Sequence, residues 1–466
     1  MSDIVSRSPP LGADDTATDA QPRSEAAAVA AHADDKPRIV IVGGGFGGVA
    51  AARALRKSDA EVVLIDRRNH HIFQPLLYQV ATAVLSPSDV AAPIRQLARK
   101  QKNLSVMMAE VTGVDLKSRS LTIESDGVGT RIVPFDYLIL APGMQASYFG
   151  HDEFAEHAPS LKTITDGEAI RTKILRAFEM AELVEDPAER ARLLTFVLVG
   201  AGPTGVELAA SIAQGAAITL RSNFRNIDPS KTSITLLDGG KRILPSFAES
   251  LSRKAARRLE RLGVKILTEA LVEKVDQHGV IVAGRRIESA TVLWTAGVAP
   301  APILKLLNAK SDRAGRVCVT PFLSVPDHAE VFVVGDAAAL TQDGRALPGV
   351  AQVAIQEGRY VGRYIGAQIK RHTTTRPFRY FDKGNMAVVG KNFAVLETRR
   401  IRLSGVTTWF IWAFIHLMFL PQLQNRLTVE TQWLWSYISG QRSSRLIPES
   451  RLVTSAPRAA EMPAVL

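Results

Sequence analysis

The residues with the clearest chemical meaning form two glycine-rich turns. They are Gly43, Gly45 and Gly48, and then Gly200, Gly202 and Gly205. In the spacing Gly-x-Gly-x-x-Gly, the glycines allow a tight turn after a strand, close approach of a pyrophosphate to backbone N–H groups, and tight packing of the next helix on that strand. The N-terminus of that helix faces the phosphates with a partial positive charge. We therefore expect a dinucleotide at each turn.

An acidic residue follows each turn at a position suited to ribose recognition. Asp66 ends the strand after the first turn, and Asp238 ends the strand after the second, although by way of a longer segment. A carboxylate there accepts the 2′-hydroxyl of NADH and repels the 2′-phosphate of NADPH. Lys241 and Arg242 lie close by and weaken this discrimination. We predict NADH at the second turn, and we assign Glu207 to the same site.

A Gly-Asp pair late in the chain indicates which nucleotide is FAD. Gly335 and Asp336 follow an apolar strand at 331–334 and precede a helical pattern at 350–369. In flavoproteins such an Asp hydrogen-bonds the ribityl chain, while the next helix points its N-terminus at the flavin ring. Taken alone, Asp336 is also compatible with an ordinary helix N-cap. Because this pair and the first turn bracket the second turn, we predict FAD at the outer site and NADH at the inner one.

The elements that position these residues are buried parallel strands, each followed by a helix or a turn. Short runs rich in β-branched residues predict the strands. The strand segments are 39–42, 61–66, 135–140, 195–199, 233–238, 290–294 and 331–334. The turns after 135–140 and 290–294 add Gly143 to the FAD site and Gly297 to the NADH site. The prediction is an α/β fold of two Rossmann-like domains, with the NADH domain nested inside the FAD domain.

Composition limits the chemistry that is open to the chain. Its 466 residues suffice for two or three domains. The single cysteine, Cys318, cannot form an internal disulfide or a CxxC pair, which excludes a dithiol mechanism within one chain. The formal net charge is +11, but the basic residues are scattered and no zinc-finger spacing or RNA-binding aromatic signature occurs. We expect neither a nucleic-acid partner nor a metal site.

An apolar stretch near the C-terminus predicts contact with a membrane. Residues 407–420 are apolar and aromatic, and Pro421 ends the run. The stretch is shorter than the roughly 20 residues that span a bilayer. Trp and Tyr at 433–437 are followed by Arg442 and Arg445, a pattern typical of the interfacial zone. We predict in-plane attachment to one leaflet of an anionic membrane, with a buried core helix and a dimer contact as the alternatives.

Three motifs resemble the type II NADH dehydrogenase (NADH:quinone oxidoreductase) family of two-dinucleotide-binding-domain flavoproteins. They are HIFQPLLYQVA at 71–81, AQVAIQ at 351–356, and the stretch from FDKG to VGK at 381–391. The resemblance covers about residues 36–441. Related branches, the disulfide reductases and sulfide:quinone oxidoreductases, use cysteine pairs that a chain with one cysteine cannot supply.

The resemblance assigns four candidate catalytic residues. The AQxAxQ motif of the family lies beside the flavin and lines the quinone pocket, which gives Gln352 and Gln356 quinone-site roles. The two glutamines are one helical turn apart, and a neutral amide can donate a hydrogen bond to a carbonyl acceptor. Glu179 resembles an acid that the family places near the nicotinamide and quinone, and Lys391 belongs to the VGK motif. For Glu179 and Lys391 a solvated surface position stays open.

The implied function is hydride transfer from NADH to FAD, and then two-electron reduction of a membrane quinone (ubiquinone or menaquinone) without ion pumping, on the cytoplasmic face.

The predicted segments are a disordered tail (1–35), the FAD domain (36–160 and 298–400, the second with the quinone site), the NADH domain (161–297), the attachment region (401–445) and a second tail (446–466). The alternatives are a soluble ferredoxin or rubredoxin reductase-like flavoprotein and a nucleotide-sensing membrane protein. A monomer and a homodimer both stay open.

Overall fold

The computed structural model describes residues 36–372 and 376–448. Helices α1 to α11 span, in chain order, Phe46–Ala54, Leu77–Ala81, Pro87–Val90, Ile94–Ala98, Ile164–Leu183, Pro187–Leu193, Pro203–Gln214, Glu249–Arg261, Ala351–Ile369, Val406–Phe419 and Leu423–Ser439. Of the two predicted tails, residues 1–35 and 449–466 lie outside the described residues, and residues 446–448 have no regular secondary structure.

The larger sheet has six strands, and five of them run parallel. In spatial order they are Ser324–Val325, His328–Val333, Tyr137–Leu140, Arg38–Val42, Glu61–Asp66 and Leu104–Met108. Ser324–Val325 is the antiparallel strand at one edge. Ile39, Val40 and Ile41 expose no surface, which is expected of a strand covered on both faces.

The second sheet consists of four parallel strands. In spatial order they are Val264–Leu267, Ser233–Leu237, Thr195–Val199 and Thr291–Trp294. This sheet lies, in sequence, between Tyr137–Leu140 and His328–Val333, which are neighbours in the larger sheet. The predicted α/β fold, with one nucleotide-binding unit nested inside the other, is therefore confirmed.

Helices α1 and α9 pack closely because small residues face each other. A Cβ atom on Gly358 would lie 2.1 Å from the carbonyl oxygen of Gly47, and one on Gly362 would lie 2.6 Å from that of Ala51. Any larger side chain at either position would push the helices apart. The glycines thereby hold the first turns of α9 beside the first glycine turn.

Smaller sheets complete the described part of the chain, and all of them are antiparallel except the parallel pair of Val317–Cys318 and Ala338–Ala339. Three have three strands each: Glu110–Asp115 with Ser120–Ser125 and Gly129–Pro134, Val272–Asp276 with Gly279–Val282 and Arg285–Glu288, and Asn385–Val388 with Ala394–Glu397 and Arg402–Gly405. Four further strand pairs are His70–Ile72 with Ala91–Pro93, Met144–Ala146 with Val298–Pro300, Val317–Cys318 with Ala338–Ala339, and Thr341–Gln342 with Arg345–Ala346. The pair from Met144–Ala146 and Val298–Pro300 joins the segments that enter and leave the nested unit.

The C-terminal helices α10 and α11 each have a packed face and an exposed face. On α10, Trp412 is 2% exposed, whereas Phe410 and Phe414 are 57% and 65% exposed. On α11, the Asn425 amide donates to the backbone oxygens of Ser88 (2.7 Å) and Asp89 (2.9 Å), which fixes the helix against α3. Within the described residues, no helix combines the length and apolar character that crossing a bilayer requires.

Candidate functional site

The first glycine turn has an open cradle at its centre. Gly43 has a φ of 104°, and a Cβ there would lie 2.2 Å from the carbonyl oxygen of Ala141. A Cβ on Gly48 would lie 1.9 Å from the oxygen of Gly43, so the backbone itself excludes side chains at both positions. Around Gly45, by contrast, no protein atom lies within 4 Å of such a Cβ. The space beside Gly45 therefore fits a pyrophosphate approaching the backbone.

The second glycine turn repeats this geometry. Gly200 also has a φ of 104°, and a Cβ there would lie 2.5 Å from the backbone nitrogen of Ala296. At Gly205 it would lie 1.9 Å from the oxygen of Gly200, and at Gly202 nothing lies within 4 Å. In both turns, the first and third glycines of the motif have no room for a side chain, and the second glycine faces open space.

The two predicted ribose-binding carboxylates hold the backbone beside their turns. Asp66 accepts hydrogen bonds from the backbone N–H groups of Gly44 (2.6 Å) and Arg68 (2.8 Å). Asp238 accepts from those of Ala201 (2.6 Å) and Gly240 (2.7 Å). Because a carboxylate has about four lone-pair sites, these bonds leave acceptor capacity for ribose hydroxyls. Contact with ribose stays a prediction, and both residues have a structural role besides.

Gly335 and Asp336 lie at the end of their strand, as predicted, and a buried acid supports them. Gly335 has a φ of 75°, and its N–H donates to Glu357 on α9 at 2.6 Å. Burial raises the pKa of Glu357 to about 8. Burial also raises the pKa of Asp336, and Lys162 opposes that rise. Glu357 could not be predicted from the sequence, because nothing in its local sequence indicates that it accepts the N–H of the Gly-Asp turn.

The two remaining glycines differ in what surrounds them. Gly143 has a φ of 69°, and no atom lies within 4 Å of a Cβ placed there. Gly297 has a φ of 71°, and its Cβ would lie 2.6 Å from the Phe149 ring. Together with the cradle at Gly45, the open space at Gly143 and the left-handed turn at Gly335 fit FAD at the first site. The matching cradle at Gly202 fits NADH at the second.

A cavity that is open to solvent lies between four parts of the chain, and its empty space together with the adjoining solvent is about 830 Å³. We call it the large cavity. Its polar and aromatic lining residues include Tyr78, Gln79, Glu207, Ser211, Gln214, Lys391, Trp409, Trp412, Trp433, Ser436, Tyr437 and Arg442. They come from α2, from α7, from the turn after the strand Asn385–Val388, and from α10 and α11 with the segment that follows them. Apolar and aromatic side chains with a few polar groups among them are typical of the lining of a site for an organic molecule.

Glu207 lies in the wall of the large cavity. The backbone N–H of Val388 donates to it at 3.3 Å, and burial raises its pKa to about 8. At neutral pH the group is therefore mostly a neutral carboxylic acid that can donate a proton. The sequence predicted that Glu207 belongs to the NADH site, and that contact stays a prediction. The structure shows that the side chain, on the first turns of α7, lines the large cavity.

Glu179 is exposed on α5 and does not belong to the residues that line the large cavity. Ala177, Phe178 and Ala181 occupy the buried face of that helix, which turns Glu179 outward. The exposure fits the solvated surface position that the sequence left open, and a role near the nicotinamide and the quinone stays a prediction. The carboxyl group in the wall of the large cavity is that of Glu207.

Lys391 lies in the wall of the large cavity, and its predicted role at the quinone stays a prediction. Its ammonium group donates to the backbone oxygen of Tyr437 at 2.6 Å. It also lies 3.8 Å from the centroid of the Tyr437 ring, a cation–π distance. Its backbone N–H donates to the Gln214 side chain at 2.8 Å. These contacts fix a positive charge where the turn at 390–391 meets α11.

The two glutamines of the AQVAIQ motif lie on α9 and outside the lining of the large cavity. The Gln356 amide makes two hydrogen bonds with the backbone of Phe381, both of 3.0 Å, and thereby holds the FDKG segment. Gln352 is half-buried in the first turn of α9. Its predicted quinone contact stays a prediction, while the contacts of Gln356 indicate a role in positioning that segment.

The sequence pattern predicted that Arg442 faces the interfacial zone of a membrane. In the structure, its side chain instead forms part of the wall of the large cavity. Its guanidinium donates to the backbone oxygens of Thr82 (2.8 Å) and Ser211 (2.7 Å). Gly215 makes room for it, since a Cβ there would lie 2.6 Å from a guanidinium nitrogen. Burial lowers the pKa of Arg442 to about 10, so it stays a cation at neutral pH.

The helix after the second glycine turn changes from an α-helix to a π-helical turn where it meets Arg442. The sequence predicts one helix from Val206 to about Leu220, whereas α7 ends at Gln214 and residues Gly215–Thr219 form a π-helical turn. The wider turn places Gly215 against the guanidinium.

Among residues 36–372 and 376–448, no group of His, Cys, Asp and Glu side chains has an arrangement that could hold a metal ion.

Comparison with known proteins identifies relatives over most of the chain. Residues 37–358 match the family model for pyridine nucleotide-disulphide oxidoreductases. Two proteins of Mycobacterium tuberculosis, the type II NADH:quinone oxidoreductases Ndh and NdhA, are 44% and 43% identical to it over 425 and 423 residues. These alignments cover 89% and 88% of this chain, and 91% and 89% of the relatives. An internal alternative NAD(P)H-ubiquinone oxidoreductase of Arabidopsis thaliana is 28% identical and covers 88% of this chain.

A solved structure agrees with the fold. The structure of NDH2 from Plasmodium falciparum in complex with NADH superposes with a TM-score of 0.81 at 21% identity, covering 88% of this chain and 99% of that one. The sulfide:quinone oxidoreductase of Aquifex aeolicus superposes less well, with a TM-score of 0.66 at 16% identity. The predicted family is confirmed and is favoured over the ferredoxin or rubredoxin reductase alternative. The chain belongs to the type II NADH:quinone oxidoreductases, FAD-dependent enzymes that pass electrons from NADH to a quinone.

Proposed function

We propose that the quinone is reduced in the large cavity, at a site built jointly by the nested unit and the C-terminal helices. The observation that carries this proposal is the lining of the cavity, in which aromatic walls from α10 and α11 face a protonated carboxyl group on α7. Aromatic walls suit an apolar ring with an isoprenoid tail. A neutral acid and a fixed cation suit an acceptor that gains negative charge and protons.

The nucleotides are held by the glycine turns and by the groups beside them. We assign FAD to Gly43, Gly45, Gly48, Asp66, Gly143, Gly335 and Asp336, and NADH to Gly200, Gly202, Gly205, Asp238 and Gly297. FAD, when bound, supplies the redox chemistry, since it can take a hydride from NADH and pass two electrons onward. The chain itself binds and orients the two nucleotides and keeps water from the reacting atoms.

In the large cavity, Glu207 and Lys391 have complementary roles. A quinone that gains two electrons needs two protons to become the hydroquinone. The hydride that NADH gives up accounts for one of them together with the two electrons. The carboxyl group of Glu207 can supply the other, since burial raises its pKa to about 8. Lys391 is fixed above the Tyr437 ring, and its positive charge favours the negative charge that develops on the quinone oxygens.

We further propose that the exposed faces of α10 and α11 attach the enzyme to the surface of an anionic membrane, on its cytoplasmic side. Large apolar side chains cover these faces: Phe410, Phe414, Met418, Leu423, Leu427, Leu434, Trp435 and Ile438. The opposite faces of the same helices carry Trp412 and Trp433, which line the large cavity. A quinone leaving the bilayer would therefore meet the cavity at the attachment surface. The formal net charge of +11 adds attraction to anionic lipid.

Filling the cavity tests where the quinone is reduced. Ser436 lies on α11 in the cavity lining, so Ser436→Trp places an indole in the proposed quinone site. We expect NADH oxidation with a soluble quinone to fall at least about tenfold, a loss of about 1.4 kcal/mol or more in transition-state binding. Ferricyanide, which needs no quinone site, should be reduced at the wild-type rate.

The matched control is Ser439→Trp, because Ser439 lies one turn further along α11, is exposed and does not belong to the cavity lining. That variant should keep wild-type quinone activity. Unchanged quinone activity in Ser436→Trp, with normal flavin content, would place the quinone site elsewhere and overturn the proposal.

A further inference from the structure

Three polar side chains in the wall of the large cavity form a chain of hydrogen bonds. The indole N–H of Trp433 donates to the carbonyl oxygen of the Gln79 amide at 2.7 Å. The amide nitrogen of Gln79 donates in turn to the hydroxyl oxygen of Tyr78 at 2.9 Å. Tyr78 and Gln79 are buried and lie on the short helix α2, 354 residues before Trp433.

The chemistry of these groups fixes the direction of every bond. An indole N–H can only donate, so the Gln79 atom that faces Trp433 must be its oxygen. The NH₂ group of Gln79 must then face Tyr78, which removes the ambiguity between the two ends of an amide. The Tyr78 oxygen consequently accepts, and its own proton has to point away from Gln79.

Within residues 36–372 and 376–448, that proton has no acceptor, since the Tyr78 hydroxyl donates to no protein group there. Tyr78 is one of the residues that line the large cavity. The charged and titratable side chains that share this cavity are Glu207, Lys391, Tyr437 and Arg442. Among them, Glu207 and Arg442 act electrostatically on the Tyr78 hydroxyl. A buried hydroxyl that keeps an unused donor loses a hydrogen bond unless something in the cavity accepts it.

We propose that the Tyr78 hydroxyl donates a hydrogen bond to a carbonyl oxygen of the bound quinone, and that Gln79 and Trp433 are positioning residues which direct that proton into the cavity. This inference rests on the proposed function, because it takes the large cavity as the quinone site. The quinone has the complementary chemistry, since each carbonyl oxygen accepts hydrogen bonds and donates none. Through Trp433, a residue of α11 therefore helps to set the donor on α2.

The direct test is Tyr78→Phe, which removes the hydroxyl and keeps the ring. One neutral hydrogen bond contributes about 1 kcal/mol, so we expect kcat/KM for a soluble quinone to fall about fivefold to tenfold. KM for NADH, the rate of flavin bleaching by NADH, and the rate with ferricyanide should stay at wild-type values.

The matched control is Tyr360→Phe. Tyr360 lies on α9, donates its hydroxyl proton to the backbone oxygen of Arg376 at 2.9 Å, and does not belong to the lining of the large cavity. Its loss should leave all four kinetic measurements unchanged. Equal losses with quinone and with ferricyanide in Tyr78→Phe would mean a general structural defect and would overturn the proposal.

A second variant tests the positioning role. Trp433→Phe removes the indole donor, so the Gln79 amide is free to rotate and offer its oxygen to Tyr78. The Tyr78 proton would then point at Gln79, and quinone kcat/KM should fall. In the Tyr78→Phe background the same change should have no further effect, because no hydroxyl proton is left to redirect.

The double variant separates this mechanism from simple loss of packing. If Trp433→Phe lowers quinone kcat/KM by the same factor in both backgrounds, then Trp433 acts independently of Tyr78 and the positioning role is wrong. The Ser436→Trp experiment keeps this outcome apart from the proposed function. If Ser436→Trp blocks quinone reduction while Tyr78→Phe does not affect it, the cavity is the quinone site and only the role of Tyr78 fails.

Discussion

Replacing Glu207 by glutamine should stabilise the folded protein at neutral pH but not at pH 5. Burial raises the pKa of Glu207 from 4.5 to about 8, and among the described residues it forms no ion pair. Between these two pH values the folded protein holds a proton that the unfolded chain has released. The free energy of unfolding therefore decreases as the pH rises from 4.5 towards 8. Glutamine has no proton to take up, so the variant lacks this dependence.

The size of the effect follows from the difference between the pKa values of Glu207 in the unfolded and the folded protein. Each pH unit between these two values lowers the free energy of unfolding by about 1.4 kcal/mol. From 4.5 to pH 7 the wild-type protein thus loses about 3 kcal/mol through this one group. Water that enters the cavity screens the charge and reduces the loss, so we expect Glu207→Gln to be about 1 to 3 kcal/mol more stable at pH 7. The amide oxygen can still accept the N–H of Val388.

The measurement is urea unfolding of the FAD-loaded protein without NADH at pH 5, 6, 7 and 8. The difference between Glu207→Gln and the wild type should be close to zero at pH 5 and should grow at each step. Glu179→Gln is the control, because that carboxyl group is exposed on α5 and its loss should shift all four values alike. Unfolding free energies that stay parallel across the series in Glu207→Gln would refute the assignment of a protonated Glu207.

Two further predictions concern the nucleotide cradle and the membrane surface. Gly45→Ala should fold but bind FAD at least about tenfold more weakly, whereas Gly48→Ala should not fold, since its Cβ would lie 1.9 Å from a backbone oxygen. Circular dichroism checks whether each variant folds, and flavin absorbance per protein checks FAD binding. Full flavin content in Gly45→Ala would contradict the prediction. Phe410→Asp with Phe414→Asp should weaken binding to anionic vesicles at least about hundredfold in sedimentation, because each phenylalanine loses about 2 kcal/mol of burial. Leu183→Asp, at an 81% exposed position outside the C-terminal helices, should bind like the wild type, and equal binding by all three proteins would rule out this surface.

The nucleotide turns could be predicted from the sequence because their geometry is local. The contact that requires Gly48 is made with the oxygen of Gly43, five residues earlier, so the motif itself encodes it. The same holds for Gly205 and Gly200. The strands were also predictable, since apolar runs such as 39–42 match the observed Arg38–Val42.

The large cavity could not be predicted in this way, because residues distant in sequence form it. Trp433 and Gln79 are 354 residues apart, and Arg442 reaches the oxygen of Thr82 across 360 residues. No pattern within α7 indicates that Glu207 lines a cavity, and no pattern within α5 indicates that Glu179 lies outside it. Those orientations depend on how whole elements pack, which a single sequence does not specify.

The sequence was compatible both with attachment of the C-terminal stretch to a membrane and with its packing as a core helix, because α10 is apolar on all sides. In the folded chain, one face of α10 is packed, and the opposite face is the exposed one that we propose for attachment. Trp412 packs beside Trp433, with ring centroids 5.5 Å apart, and both line the large cavity, while Phe410 and Phe414 remain exposed. The proposed attachment predicts that deleting everything after Gly405 releases the enzyme from membranes, but this deletion would also remove a wall of the large cavity. Attachment and quinone reduction can therefore be separated only by changing one face at a time.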